Sequence, residues 1–331
     1  MSQSSTHTFS PAAQAFLHAQ GVDVAALEPI PGDASPRRYW RTGTQRILAQ
    51  VPQPAELLPF LRVQRRFAAL GLPVPRIDAV SLQFGLLLQE DLGSRDLKEA
   101  LDAGEAPAAL FAATFPLLSG LAKAPRHLRP LPMFPAYDDA RLGEELALFP
   151  HWYLRRHLQI VLDSAAEARL QTLFAELLQA AARQPKVWVH RDFHARNLLL
   201  RETGEVVMID FQDAVMGPWT YDLASLLWDR YWDWGREQRR AWIESYRQHL
   251  QREGVAVPDA ADFAAQVEVL ALQRTVKILG IFCRLAYRDG KTAYLEFLPR
   301  FWAYLEDLLA GNPAWQSYLP LFSPWSPCNK P

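Results

Sequence analysis

Two short motifs in this sequence have the residue types and the spacing that transfer of a phosphoryl group requires. The first, His-Arg-Asp-Phe-His-Ala-Arg-Asn at residues 190–197, contains Asp192 and Asn197, and the second begins at Asp210. In this chemistry a carboxylate orients the attacking hydroxyl, while an amide oxygen and a second carboxylate bind the magnesium ions that neutralise the phosphates. We therefore expect Asp192, Asn197 and Asp210 to be catalytic, with Asn197 and Asp210 as the metal ligands.

Apolar runs precede both motifs and predict how they are held. The runs at 187–189 and 206–209 predict two short buried strands, each of which ends in a catalytic loop. A structural alternative makes His190 and Asp192 a pair in a turn and Asp210 a carboxylate at the end of a strand. That alternative leaves the order and the spacing of the two motifs unexplained.

Composition and charge narrow the class of protein. The 331-residue chain has a formal net charge of -1, which gives no electrostatic reason to expect a nucleic acid or an anionic membrane as partner. We find no run as long as a membrane span, and the polar start at residues 1–5 is unlike a signal sequence. Cys283 and Cys328 are too few and too far apart for a disulfide framework or a zinc site. We therefore expect a cytoplasmic protein without a membrane or nucleic-acid partner.

The order of the predicted elements indicates an α+β fold with two lobes. Short strands and two helices precede residues 90–93, which we interpret as a hinge, and helical patterns dominate beyond it. We predict a small mixed lobe at residues 1–91 and a larger, mainly helical lobe at residues 92–331. The elements predicted before the hinge are helices at 10–20 and 54–70 and strands at 45–51, 77–80 and 85–89.

This order of elements, with both motifs in the helical lobe, is similar to that of the protein-kinase-like phosphotransferases that include the aminoglycoside and choline kinases. Further segments resemble one branch, the anomeric N-acetylmuramate/N-acetylglucosamine kinases of cell-wall recycling. The resemblance implies a bilobal protein-kinase-like fold, ATP and Mg²⁺ as cofactors, a small-molecule amino sugar as substrate, and a uridylyltransferase as the next enzyme. We also expect a monomer. The segments that carry the resemblance to the branch are residues 32–39, 148–154, 211–218 and 277–285.

In that family the adenine lies against the hinge and the phosphates lie under a turn of the small lobe. The resemblance therefore assigns Glu90 and Leu92 to the adenine. It assigns the turn residues Gly32, Asp33 and Ser35 to the phosphates, which glycine lets approach closely and which backbone N–H groups can bind. An ordinary hairpin turn is the alternative for these three residues.

The sequence departs from the family at a lysine of the third small-lobe strand that usually pairs with the nucleotide phosphates. The first lysine is Lys98, beyond the hinge, and Ala49 stands where the usual lysine would lie. The nearest cations are Arg37, Arg38 and Arg41. We choose Arg38, which follows closely after the turn, and a solvated surface arginine is the alternative.

The segment that follows the second motif indicates a small acceptor. Asp222 comes only twelve positions after Asp210, too few for the segment with which a protein kinase docks a peptide. Gly217 and Pro218 predict a turn within this short segment. Asp222 leads an apolar helix, so we interpret it as a helix cap and a loop anchor. Arg191 is expected to pair with a carboxylate behind the catalytic loop.

Aromatic and basic residues predict the acceptor site. Trp228 opens an aromatic and acidic stretch suited to a sugar ring, although an aromatic face packed in the core is the alternative. The predicted helix at 264–287 carries Lys277 and Arg284 in a basic stripe, which is costly to bury without an anionic partner but could also be a solvated face. His194 stands where protein kinases carry a lysine, which suits a cationic or donor role, and a loop histidine satisfied within the protein is the alternative. The predicted substrate contacts are His194, Arg196, Asp213, Trp228, Lys277 and Arg284.

The leading hypothesis is an ATP-dependent kinase for the anomeric hydroxyl of N-acetylmuramate and N-acetylglucosamine, with the substrate taken from the resemblance. An aminoglycoside or other amino-alcohol kinase is the alternative among enzymes, and the basic stripe counts against it because cationic acceptors favour an acidic cleft. A nucleotide-binding pseudokinase is the alternative from another class. The missing lysine favours it, whereas Asp192, Asn197 and Asp210 oppose it.

Overall fold

The computed structural model divides the chain into two compact units by their internal contacts. The sequence predicted one boundary, after residue 91. The contacts also group residues 92–99 and the segment from Asn197 to Asp213 with the first unit, whereas Asp192 belongs to the second. The described residues are 9–30, 37–127 and 134–327, and the units comprise residues 1–99 with 197–213 and residues 100–196 with 214–331.

Strands and helices are mixed in the first third of the chain, and helices dominate the rest. The strands are β1 (Glu28–Ile30), β2 (Arg38–Arg41), β3 (Arg46–Gln50), β4 (Ile77–Ser81), β5 (Leu86–Glu90), β6 (Lys186–Val189), β7 (Leu198–Leu200), β8 (Val206–Met208) and β9 (Val215–Pro218). The helices are α1 (Pro11–Ala19), α2 (Leu57–Ala69), α3 (Leu97–Asp102), α4 (Pro107–His127), α5 (Asp139–Leu146), α6 (Ser164–Ala182), α7 (Tyr221–Leu227), α8 (Gly235–Arg252), α9 (Ala260–Asp289), α10 (Leu298–Gly311) and α11 (Leu319–Phe322). The elements predicted before the hinge are thus confirmed, to within a few residues at their ends.

The first unit is built on a five-stranded antiparallel sheet with strand order β1-β2-β3-β5-β4. Because side chains alternate along a strand, the sheet has two different faces. Trp40 pairs with Leu48 on one face, which is buried together with residues of α1. Tyr39 pairs with Ala49 on the other face, which packs with Leu57 and other residues of α2. Burial of each large apolar side chain contributes about 1.5–3 kcal/mol, so both faces stabilise the sheet.

A small hairpin of β7 and β8 completes the first unit and carries the predicted metal ligands at its ends. The strands pair antiparallel, and the N–H of Leu200 and of Met208 donate to Arg95 O (2.8 Å) and Pro73 O (3.0 Å). After β8, the ring of Phe211 stacks on Phe60 of α2 with 4.9 Å between centroids. Backbone hydrogen bonds and aromatic packing therefore hold this segment in the first unit.

The second unit contains one pair of strands, β6 and β9, which are antiparallel. The prediction of a turn at Gly217 and Pro218 was wrong, because both residues lie in β9, opposite Val187 and Lys186. Met216 of β9 also bridges to Ala136, so β9 is hydrogen-bonded on both sides at that point. The rest of the described part of this unit is mainly helical.

The 30-residue helix α9 is the central element of the second unit, and most of its middle is buried. A wide helical segment, Phe149–His157, in which Leu158 N donates to Tyr153 O five residues earlier, packs against it. Gly280 lies at their closest approach, where an added Cβ would be 2.4 Å from the carbonyl carbon of Leu148. Only glycine fits there without movement of the backbone.

Among the described residues one helix, α4, is long and apolar enough between Pro107 and Ala124 to cross a membrane by composition, which corrects the expectation that no such run exists. In the structure 56% of this stretch is buried. It packs against β6 and α8. We therefore interpret α4 as a core helix of the second unit.

We expect Gly280→Ala to lower the melting temperature, because the new methyl group must displace the backbone of Leu148. Overpacking of this kind costs about 1–3 kcal/mol. Gly143→Ala is the matched control, since Gly143 also lies inside a helix and its added Cβ would be 3.6 Å from Leu178 Cδ1, an ordinary contact. The better helix propensity of alanine should leave that variant unchanged or more stable. Scanning calorimetry that gives both variants the same melting temperature would contradict the close approach.

Candidate active site

The catalytic loop begins directly after β6 and is anchored by one buried carboxylate. Asp222, in the first turn of α7, accepts hydrogen bonds from the backbone N–H of His190 (2.7 Å) and of Arg191 (3.0 Å). Arg191 adopts a left-handed backbone conformation (φ 76°), which is unfavourable outside glycine and is held here by this bond. The prediction of Asp222 as a loop anchor is thus confirmed, while the cap position itself belongs to Thr220.

A second buried carboxylate, Asp229, holds the other end of the loop. It accepts hydrogen bonds from the N–H of Ala195 (3.2 Å) and of Arg230 (2.5 Å). Burial raises the pKa of Asp222 and of Asp229 to about 6, although the N–H donors oppose this rise. Two carboxylates seven residues apart, both on or just after α7, therefore fix the loop that carries Asp192.

Asp192 opens onto a cavity of about 420 Å³ that lies within the second unit. Loss of hydration would raise the pKa of Asp192, but the charge of Lys277 lowers it below the ordinary value. The carboxylate is therefore ionised at neutral pH. Of the predicted substrate contacts, His194, Lys277 and Arg284 line the same cavity.

Lys277 is tied into a cluster of buried polar groups on the cavity wall. Its Nζ lies 2.9 Å from Glu145 Oε1, and it also donates to the hydroxyls of Tyr221 (3.0 Å) and Tyr137 (3.3 Å). Glu145 in turn accepts from Arg191 Nη2 (3.0 Å), which is the carboxylate partner predicted for Arg191. All three donors of Lys277 are therefore engaged by the protein, so its main influence on Asp192 is through its charge.

The other predicted polar groups of this cavity differ in how they are satisfied. Burial lowers the pKa of His194 to about 3, although Asp192 opposes this, so the ring is neutral and can donate but is not a cation at neutral pH. Arg274 Nη1 donates to Trp228 O (3.4 Å). Arg284 Nε is buried and has no hydrogen-bond partner among the described residues.

The first unit contains its own cavity, of about 370 Å³, and the two predicted metal ligands line it. Its walls are largely apolar, and Asn197 and Asp210 supply oxygen atoms at the hairpin. Glu90 and Leu92 also line it, as predicted for residues against an adenine, although Glu90 is held by Arg201 Nη1 (2.7 Å). This cavity has the apolar walls and oxygen donors that a nucleotide needs.

Two observations test whether a nucleotide and Mg²⁺ fit this cavity. The side-chain oxygen of Gln89 is buried, belongs to a lining residue and has no partner among the described residues, so it is available to a donor such as the amino group of adenine. Asn197 and Asp210 offer two oxygen ligands, and Mg²⁺ typically takes one or two protein oxygens and completes its shell with phosphates and water. No larger acidic or histidine cluster occurs among the described residues. The donor set fits a magnesium nucleotide.

The arginines in β2 and directly before it lie on both faces of the sheet. The cavity of the first unit, which we call the nucleotide cavity, is lined by Arg37, Tyr39 and Arg41, whereas Arg38 is exposed and does not line it. Alternation along the strand explains this, because Arg38 points to the face opposite to its neighbours. Arg41 Nε bonds to Asp91 Oδ2 (2.9 Å). Of the three arginines named from the sequence, Arg37 and Arg41 therefore reach this cavity and Arg38 does not.

Three predicted substrate contacts do not line the cavity onto which Asp192 opens, which we call the acceptor cavity. Arg196 and Asp213 are exposed and are not among its lining residues. Trp228 is 3% exposed and packs in the core under the guanidinium of Arg239, 5.0 Å from the ring centroid, so the core alternative describes it. Gly32, Asp33 and Ser35 lie outside the described residues.

Sequence reasoning missed several residues of the acceptor cavity. Glu145 comes from α5, far from both motifs along the chain, and nothing in its local sequence marks it. The aromatic part of the wall comes from Tyr221, Phe282, Tyr294 and Phe301 rather than from Trp228. Phe282 could have been found, because it lies on the same helix as the basic stripe.

Comparison with known proteins agrees with this geometry. The N-acetylmuramate/N-acetylglucosamine kinase of Pseudomonas aeruginosa is 38% identical over 88% of this chain and 86% of its own. The enzyme of the same name from Pseudomonas putida is 36% identical over the same shares. The ADP-bound structure of aminoglycoside phosphotransferase APH(2'')-Ib superposes with a TM-score of 0.60 over 89% of this chain and 97% of its own, at 12% identity, which confirms the kinase-like fold. Residues 26–264 match the model of the phosphotransferase enzyme family, and the chain belongs to that family.

Proposed function

We propose that this protein is an ATP-dependent kinase that phosphorylates the anomeric hydroxyl of N-acetylmuramate and N-acetylglucosamine. The observation that carries the proposal is the acceptor cavity, where the ionised Asp192 lies among cations and aromatic side chains. The similarity to kinases of these two sugars, over most of both chains, supports the choice of substrate. The proposed cytoplasmic location, monomeric state and supply of product to a uridylyltransferase remain predictions.

The proposed donor site is the cavity of the first unit. Its apolar walls would hold the adenine between the strands and Leu199, and Arg37 would pair with the phosphates in place of the usual lysine. Asn197 and Asp210 would hold Mg²⁺, which neutralises phosphate charge when bound. The missing lysine therefore does not favour a pseudokinase, because Arg37 brings a cation to the same cavity.

The proposed acceptor chemistry centres on Asp192. Its carboxylate orients the sugar hydroxyl and takes up the proton as the hydroxyl oxygen bonds to the γ-phosphorus and the bond to ADP breaks. The depressed pKa keeps Asp192 able to accept this proton. The neutral ring of His194, in the same cavity, offers a donor to the sugar or to the transferred group.

The structure favours a small, uncharged or anionic acceptor. The segment after Asp210 is largely occupied by β9, whose pairing with β6 leaves no loop that could dock a peptide. Five cationic side chains line the acceptor cavity against three carboxylates: Arg191, Arg230, Arg274, Lys277 and Arg284 against Glu145, Asp192 and Asp229. A polycationic aminoglycoside would meet net repulsion there, which argues against the amino-alcohol alternative.

We expect Asp192→Asn to lower turnover on both sugars by roughly a hundredfold or more, because the amide cannot accept the hydroxyl proton. Nucleotide binding should be nearly unchanged, because Asp192 lines only the acceptor cavity. Asp262→Asn, an exposed carboxylate in the first turn of α9, is the control and should keep wild-type turnover. Near wild-type rates for Asp192→Asn would show that the carboxylate has no catalytic role.

Asp210→Ala should weaken Mg-ATP binding, because it removes the only charged ligand proposed for the metal. Calorimetry with ATP in the presence and in the absence of Mg²⁺ separates this effect from a loss of fold. The variant should lose most of the enhancement that Mg²⁺ gives to wild-type binding. Equal Mg-ATP affinities for the variant and the wild type would refute the assignment.

Arg37→Ala should raise the dissociation constant for ATP by about tenfold to a hundredfold, because a charge-assisted hydrogen bond contributes about 1.5–3 kcal/mol. Arg37→Lys should restore this affinity only in part, since a lysine cannot make two parallel bonds to a phosphate. Arg38→Ala is the matched control and should bind ATP like the wild type. If calorimetry shows the reverse order, with Arg38 required and Arg37 dispensable, the original prediction from sequence is correct.

A further inference from the structure

Arg284 differs from the other basic residues that line the acceptor cavity. Lys277 and Arg191 share Glu145, and Arg230 Nη2 donates to the hydroxyl of Tyr231 at 2.6 Å. Arg284 makes no hydrogen bond or ion pair among the described residues, although its Nε is buried. A buried donor without an acceptor is unfavourable, so a ligand that brings an acceptor to Nε would stabilise this guanidinium. The planar guanidinium of Arg284 can donate two parallel hydrogen bonds to a carboxylate.

The surroundings of Arg284 narrow the chemistry of that ligand. Phe282 contacts Tyr294 and Phe301, with 5.1 Å and 5.3 Å between ring centroids, and all three belong to the cavity wall. Ile281, one turn before Arg284 on α9, adds an aliphatic surface. The cavity that Arg284 lines thus offers an unpaired cation together with apolar side chains, while Arg230 lies over the ring of Tyr294. A short side arm that carries both a carboxylate and a methyl group would satisfy both.

The position of Arg284 along α9 fits a second contact on the same substrate. Arg284 lies seven residues after Lys277, two helical turns or about 10.5 Å along the axis. Lys277 shares Glu145 with Arg191, the residue before Asp192, so it marks the end of the cavity where the reacting hydroxyl would lie. The separation suits a hexose whose anomeric hydroxyl lies near Asp192 and whose ring substituent extends along the helix.

We propose that Arg284 binds the carboxylate of the 3-O-lactyl arm of N-acetylmuramate and thereby sets the preference of this enzyme between an acidic and a neutral amino sugar. The proposal rests on the function proposed above. N-Acetylglucosamine lacks the lactyl arm, so it makes no use of this guanidinium. Arg284 is therefore a specificity-determining residue, while the reaction at the anomeric hydroxyl is common to both sugars.

The test compares the specificity constants of the wild type, Arg284→Gln and Arg284→Lys on the two sugars. Arg284→Gln should lower kcat/KM for N-acetylmuramate by about tenfold to a hundredfold and leave that for N-acetylglucosamine within about twofold. Arg284→Lys, which keeps the charge, should lie between the wild type and Arg284→Gln on N-acetylmuramate. Arg288→Gln is the matched control, because Arg288 is exposed on the same helix, pairs with Asp289 and does not line the cavity. It should change neither constant.

The outcomes separate the two proposals. Activity of Arg284→Gln on N-acetylglucosamine shows that the fold is intact, so a selective loss on N-acetylmuramate supports the assignment. Equal losses on both sugars, or no loss on either, overturn the assignment while the wild-type activity upholds the proposed function. A wild-type enzyme that phosphorylates neither sugar overturns the proposed function itself, and with it the role of Arg284.

Discussion

The second unit depends on the pairing of one buried lysine. Lys277 lies in the middle of α9, where a charge without a partner would be very costly. Burial alone would lower the pKa of Lys277, but Tyr221 and Glu145 raise it above its ordinary value. The lysine therefore stays charged. Because Tyr221, Glu145 and Arg191 come from α7, α5 and the catalytic loop, this one pairing connects three parts of the unit to α9.

The same cluster links the stability of the unit to its chemistry. The charge on Lys277 is the strongest influence that keeps the pKa of Asp192 low against the effect of enclosure. Glu145 also fixes the side chain of Arg191, whose strained backbone starts the catalytic loop. Removal of one member of a buried ion pair costs about 3–5 kcal/mol in proteins generally. An unpaired lysine would destabilise an ordinary core. Lys277 is tolerated here because it is paired, and its charge acts on the carboxylate of Asp192.

The sequence predicted the elements and motifs that local patterns determine. It did not predict side-chain positions that depend on contacts between residues far apart in the chain. Apolar periodicity predicted α2 and the strands that precede both motifs, and the motif spacing predicted that Asn197 and Asp210 belong to one site. Trp228 was assigned to the substrate because a core tryptophan and a sugar-binding tryptophan have the same local sequence, and only the packing of Arg239 distinguishes them. Arg38 was chosen because it stands close after the turn, whereas the direction of alternation along β2 decides which arginine reaches the cavity.

The assignment of residues 197–213 to the first unit has a consequence for how relatives of this protein can diverge. Every residue that lines the nucleotide cavity belongs to the first unit, and every residue that lines the acceptor cavity belongs to the second. Substitutions with separate packing neighbours combine almost additively. The cavity that holds Asp192 can therefore change over evolutionary time while the residues around Asn197 and Asp210 stay as they are.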